Sequence, residues 1–270
     1  MPADGGIWPQ KAYKNLRFLT SPDARPIRVL CELMEPAARF AHHDVRATIV
    51  FFGSTRIVSR RQADERLAAA DAADDDAAIA AARHAVAMSR YYEDARELAR
   101  RLTAWARTRD DGGGRFTICS GGGPGIMEAA NRGASDAGGP SVGLNISLPN
   151  EQVPNGYQTP ELSFEFHYFF MRKFWFAYLA RALVVFPGGF GTLDELFEVL
   201  TLAQTHKTAP RPPVLVYGSE FWNDVVDINA LSDRGMIDAA DRELFRSCDD
   251  VDEAFAFLTD ALTAGDAGDG

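Results

Sequence analysis

Two glycine-rich runs and two neighbouring charges hold most of the chemistry available to this chain. Gly121-Gly-Gly-Pro-Gly125 and Gly188-Gly-Phe-Gly191 each follow a short apolar run rich in β-formers, and each leads into a segment of helical character. Bare backbone N–H groups at such a turn, with the positive end of a helix dipole behind them, make a binding place for phosphate. The second run continues into Thr192-Leu-Asp-Glu195, so a carboxylate stands beside the cradle. It can serve there as a general base or a stabiliser of positive charge. Arg172 and Lys173 interrupt an aromatic stretch from Phe164 to Leu179. Adjacent cations are costly to bury unpaired, so at least one should meet a carboxylate, a phosphate or a water-filled cleft.

Each residue has a purely structural reading as well. Thr192 and Glu195 have the spacing of a capping box, with Thr at the N-cap and Glu three residues later. Arg172 can belong to a structural ion pair. Met127 and the aromatic stretch read as core. The first glycine run lacks the GxGxxG spacing, because position 126 is Ile, and no acidic residue ends the next strand to hold a ribose 2′-hydroxyl, which argues against a dinucleotide site. The five histidines have no metal-like spacing, and no Gly-x-Ser-x-Gly elbow is present. Neither a metal nor a cofactor is expected.

The elements that must position these residues alternate in type. Ala47–Phe52, ending in Gly53-Ser54, reads as a buried parallel strand running into a ligand-facing loop. Residues 62–83, with Asp74-Asp75-Asp76, read as a solvated helix or flexible insert, and 88–107 as an amphipathic crossover helix. Strands are expected at Phe116–Cys119, Ser141–Ser147, Ala182–Phe186 and Pro213–Gly218. A turn is expected over Gly133–Pro140, a long loop over 149–163, and helices from Thr192 to about Gln204, from Phe221 to Ile228 and from Val251 to Leu262. The pattern is that of an α/β fold with a doubly wound, mostly parallel sheet flanked by helices and ligands at the strand carboxyl ends. Ahead of this domain, assigned to residues 46–265, an extension over residues 1–45 carries helical spacing from Pro26 to Phe40. Pro36 is expected to kink or end that helix.

Composition narrows the function. With 270 residues, 46% of them apolar, the chain can bury a large core. A formal charge of −10 opposes nonspecific binding to nucleic acid or anionic membranes but not to a nucleotide. No run approaches the ~18 apolar residues of a membrane span, and the N-terminus lacks the pattern of a secretory signal, so a cytoplasmic location is expected. Cys31, Cys119 and Cys248 are far apart in sequence and read as buried thiols rather than a disulfide framework.

Together, Gly121-Gly-Gly-Pro-Gly-Ile-Met127 and Pro187-Gly-Gly-Phe-Gly-Thr-Leu-Asp-Glu195 resemble the paired signatures of the LOG family, the cytokinin riboside 5′-monophosphate phosphoribohydrolases long labelled lysine decarboxylases. The likeness covers roughly residues 46–220, and Arg172-Lys173 falls where that family carries its arginine. It implies a Rossmann-like homodimer that hydrolyses the N-glycosidic bond of a nucleoside 5′-monophosphate, giving free base and ribose 5-phosphate. Arg172 and Glu195 would be the catalytic pair. Gly53, Ser54, Gly121, Gly122, Gly123, Gly125, Gly188, Gly189, Gly191 and Thr192 would bind phosphate and ribose. The alternative is a noncatalytic carrier of a nucleotide or phosphorylated cofactor. The chain departs from compact family members at Tyr168-Phe169-Phe170-Met171, where they have an acidic-Met-His run, and in its N-terminal extension. Longer relatives share both departures, which leaves adenine and other purine nucleotides open beside cytokinin nucleotides.

Overall fold

The computed structural model describes residues 9–109, 116–149, 153–207 and 211–266. Among these residues, seven strands form one sheet: β1 (Ala47–Phe52), β2 (Phe116–Ser120), β3 (Ser141–Ile146), β4 (Ser163–Phe166), β5 (Ala180–Val185), β6 (Val214–Tyr217) and β7 (Arg246–Cys248). Their order is β4-β3-β2-β1-β5-β6-β7, and every pairing is parallel. The chain builds outward from β1 to one edge, then returns to lay β5 on the other side of β1. The crevice between β1 and β5 is therefore the topological switch point where open α/β sheets bind ligands.

Among the described residues, ten α-helices cover the sheet and its edges: α1 (Leu16–Leu19), α2 (Arg25–His42), α3 (Arg60–Ala73), α4 (Asp76–Thr108), α5 (Ile126–Asp136), α6 (Phe169–Tyr178), α7 (Phe190–Gln204), α8 (Ser219–Val225), α9 (Ile228–Asp233) and α10 (Val251–Asp266). β1 shows why the sheet needs two layers. Ile49 and Phe51 join the core beneath α4, α5 and α10, whereas Val50 and Phe52 join a second core with Phe40, Trp175, Phe176 and Leu196. A strand buried on both faces reads as a continuous apolar run, as this one does.

Several local expectations change. Helix α2 runs through Pro36, which is buried inside it. Proline removes one backbone donor, the one that would reach the carbonyl of Glu32; Trp175 Nε1 donates to that carbonyl instead, at 2.9 Å. The extension thus packs onto the main sheet, with the Phe40 ring 4.8 Å from Phe164 and 5.2 Å from Trp175. The aspartate run at 74–76 breaks two helices: Asp74 takes a left-handed φ of 52°, and the Asp75 side chain accepts from Ala77 and Ala78 N–H to cap α4. Gly133 lies inside α5 rather than in a turn, because a Cβ there would stand 2.1 Å from the Arg96 carbonyl of α4. The segment expected as one helix from Phe221 to Ile228 is two, α8 and α9. Cys31 is exposed, unlike Cys119 and Cys248.

Candidate functional site

The carboxyl ends of β1, β2 and β5 converge at the switch point, and Ser54 brackets the two glycine turns there. Its N–H donates to the Pro187 carbonyl at 3.0 Å, and its carbonyl accepts from Ile126 N–H at 3.1 Å. Its hydroxyl accepts from Arg56 N–H, which closes the loop on itself.

The turn after β2 is an internal structure first. Gly122 and Gly125 have φ of +74° and +73°, and a Cβ on Gly125 would stand 2.3 Å from the Ser54 carbonyl. A Cβ on Gly53 would meet Ile126 at 2.7 Å, and one on Gly122 would meet Asn145 at 2.2 Å. The Gly122 carbonyl accepts from Asn155 N–H, Asn155 Nδ2 and Gln158 Nε2 at 2.8, 3.0 and 2.7 Å, and Asn155 Nδ2 also reaches the Gly123 carbonyl. Behind these stand Asn131, which accepts from Ser120 Oγ and donates to Ser141 Oγ, and Asn145, which donates to Gln158 Oε1. These buried amides went unremarked in the sequence. They are scattered between positions 131 and 158, and only the folded loop brings them together. The signal that could have found them is polar residues inside otherwise apolar strands, as at Asn145 in β3.

The turn after β5 is different. Gly188 is buried under Thr192, whose Oγ1 would lie 2.2 Å from a Cβ at Gly188. Gly189 and Gly191 are exposed with nothing within 4 Å of where a Cβ would stand. Helix α7 begins at Phe190, with Gly189 as its N-cap and no side-chain cap. The capping-box reading is therefore overturned: Thr192 is the third residue of the helix and Glu195 stands in its second turn, so Glu195 does not cap. The N–H groups of the first turn have no partner within the helix and open toward the surface at 189–191.

Arg172 reaches Glu195 from α6. Its Nη2 stands 3.5 Å from Glu195 Oε1, and the two side chains are 12% and 16% exposed. The guanidinium lies 5.1 Å from the Phe176 ring centre and against Gly121, where a Cβ would be 2.6 Å from Nη2. Glycine at 121 is what admits the arginine. The pair is loose by hydrogen-bond standards, and Arg172 Nε is buried with no hydrogen-bond partner among the described residues. Burial pushes the Glu195 carboxyl up to about 7, against the opposing pull of Arg172 and with Asp194 adding to the rise. Burial likewise lowers Arg172, against the effect of Glu195. Cys119 lies beneath the pair, and burial pushes its thiol up, so it stays protonated. Lys173 points elsewhere, pairing with Asp194 at 2.9 Å and Glu198 at 3.1 Å. The pair of cations is thus divided: one sits in the site, the other in a structural ion pair.

A parallel α/β protein with a buried Arg–Glu pair at the switch point, flanked by one propped and one open glycine turn, is the class these features define. Residues 127–258 match the family model described as "Possible lysine decarboxylase". That match spans just under half of the chain and is a likeness to that family, the LOG family. It is 30% identical over 149 residues to the probable cytokinin riboside 5′-monophosphate phosphoribohydrolase LOG4 of Oryza sativa subsp. japonica, a match covering 53% of this chain and 62% of the rice protein. It is 29% identical over 140 residues to the cytokinin riboside 5′-monophosphate phosphoribohydrolase of Rhodococcoides fascians, covering 50% of this chain and 68% of that protein. Among solved structures, the molybdenum cofactor carrier protein of Chlamydomonas reinhardtii superposes with a TM-score of 0.45 at 19% identity, over 81% of this chain and 99% of that one.

The glycines divide into two testable groups. Gly191→Ala, inside a helix with open space before it, is expected to stabilise the fold by about 0.4–1 kcal/mol. Gly125→Ala, at positive φ against a carbonyl, is expected to destabilise it by more than about 1 kcal/mol. Urea denaturation of both variants measures this; equal effects would refute the division.

Proposed function

We propose that the protein hydrolyses the N-glycosidic bond of a purine nucleoside 5′-monophosphate, releasing the base and ribose 5-phosphate. The observation that carries this reading is the buried Arg172–Glu195 pair beside the open first turn of α7. In the proposed step the bond from the anomeric carbon to the base nitrogen breaks, and its electron pair leaves with the base, which takes up a proton from solvent, balanced by the proton that Glu195 takes from water and later returns to solvent. Positive charge develops on the sugar, and the Glu195 carboxylate faces it. A water oxygen bonds to the anomeric carbon as Glu195 accepts its proton. The 5′-phosphate is assigned to the turn at Gly188–Thr192, where Gly189 and Gly191 are exposed, and to Arg172, whose Nε has no hydrogen-bond partner among the described residues. Gly121–Gly125 supports the sugar from the other side through its backbone, held by Asn155 and Gln158. The likeness to the two named phosphoribohydrolases supports the same reaction class, and Tyr168–Met171 bear on which base is accepted.

The family's description names a decarboxylase of lysine, whose usual chemistry needs a lysine free to form a Schiff base. The four lysines are Lys11, Lys14, Lys173 and Lys207. Lys173, the one beside the site, is held charged: although burial works against the charge, Asp194 and Glu198 raise its pKa overall. That environment does not fit a Schiff-base role.

We also propose that the protein works as a homodimer. Phe169, Phe170, Phe174 and Tyr178 of α6 and Phe197 of α7 stand exposed, and Phe190 is 93% exposed. Exposed aromatic residues in this number mark an interaction surface, and a second copy would cover it. Analytical ultracentrifugation is expected to give twice the 29.5 kDa chain mass, and Phe174→Glu to shift it toward the monomer; a monomeric wild type would refute this.

Glu195→Gln and Arg172→Ala are expected to lower the rate of base release from AMP by roughly 10²–10³-fold. Wild-type rates in either folded variant would remove that residue from the mechanism, and tight nucleotide binding by the wild type without base release would favour the carrier alternative. Because Glu195 acts ionised and its carboxyl is raised to about 7 in the free protein, kcat/KM is expected to climb with pH and level off above that value. The same shift fixes the sign for stability. A carboxyl raised on folding favours the fold most at low pH and loses that contribution as pH rises through its folded value. Glu195→Gln is therefore expected to gain thermal stability relative to wild type as pH rises from about 4.5 to about 7. A kcat/KM that is flat across this range would contradict the assignment.

A further inference from the structure

Glu32, in the extension, holds the helix that carries Arg172 just ahead of its start and again at Trp175. Its carboxylate accepts from the backbone N–H of His167 at 2.8 Å and of Tyr168 at 3.3 Å. Its carbonyl accepts from Trp175 Nε1 at 2.9 Å, and that carbonyl is available because Pro36, four residues on, has no N–H to offer it. Tyr168 is the N-cap of α6 and makes no side-chain cap of its own. The Glu32 carboxylate, 136 residues away, fixes the N-cap residue and the one before it by their backbone N–H groups, and it places negative charge at the helix N-terminus, the favourable sign. The Tyr168 carbonyl in turn accepts the Arg172 N–H at 3.1 Å. Arg172 thus lies one turn beyond the gripped start of the helix and three residues before the gripped tryptophan.

We propose that Glu32 is a positioning residue for Arg172, clamping residues 167–175 so that the guanidinium stays against Gly121 and within reach of Glu195. The extension is then part of the working site rather than an appendage. This rests on the reading of Arg172 and Glu195 as the reacting pair.

The test uses the full chain with Glu32→Ala and Glu32→Gln, the second keeping one acceptor and the side-chain shape in case the first does not fold. Three readouts apply: amide hydrogen exchange over residues 167–176, the ionisation midpoint of Glu195 followed by carbon-13 NMR, and kcat and KM for AMP. Glu32→Ala is expected to speed exchange in that segment by roughly tenfold or more. It should leave β1 and β5 unchanged and move the Glu195 midpoint upward as its cation withdraws. kcat/KM is expected to fall by roughly 10- to 100-fold, through a lower kcat and a higher KM as Arg172 leaves both the phosphate and Glu195, and Glu32→Gln to recover part of the loss. Unchanged local exchange together with an unchanged Glu195 midpoint would overturn the proposal, as would an unchanged midpoint with faster exchange throughout the sheet. If the wild type releases no base, the hydrolase reading fails, while the exchange and NMR results still decide whether Glu32 positions Arg172.

Discussion

Glu195 and Arg172 are taken out of water together, and neither could be buried at this depth alone. An isolated ionised group inside a protein is costly, and a pair is tolerated only when the geometry returns part of that cost. Here the return is incomplete. The closest approach is 3.5 Å, Arg172 Nε has no hydrogen-bond partner among the described residues, and the carboxyl is held near neutrality on the pH scale. A pair optimised for stability would be tighter. Unmet donors and a carboxylate poised near neutral pH suit a site that completes its interactions with a ligand.

The rest of the fold can be understood as the means of holding that pair. Strand β1 lies at the centre of the sheet, and the loop after it ties both glycine turns through Ser54. Gly121 gives up its side chain so that the guanidinium can enter. The turn containing Gly121 would be soft if left to itself, because glycine loses the most freedom on folding. Asn155 and Gln158 fix it by placing three donors on one carbonyl. From the opposite side, Pro36 and Glu32 tie the extension to α6. Rigidity on these sides leaves the open positions at Gly189 and Gly191 as the approach for a ligand.

How much of this was legible in the sequence follows from range. The strand, glycine turn and helix units were readable because each is a local pattern, and so were Arg172 and Glu195 as charges out of place near apolar runs. The N-cap of α7 lies three residues ahead of Thr192: Thr192 and Glu195 satisfy the capping-box spacing, and a glycine N-cap carries no side-chain signal. Edge strands β4 and β7, of four and three residues, are too short to show a period. Gly133 resembled a turn because its reason, the close approach of α4, lies more than thirty positions away. The amide network and the grip of Glu32 depend wholly on tertiary contacts. The uninterrupted α2 makes the same point: a proline inside a helix is tolerated where another donor, here Trp175, reaches the carbonyl it leaves free.

The most direct test of the account is the product analysis of purified wild-type protein incubated with AMP and with its N6-isopentenyl counterpart, resolved by mass spectrometry. The account predicts equimolar free base and ribose 5-phosphate from at least one of them. Recovery of both nucleotides intact, or release of inorganic phosphate with nucleoside, would contradict it.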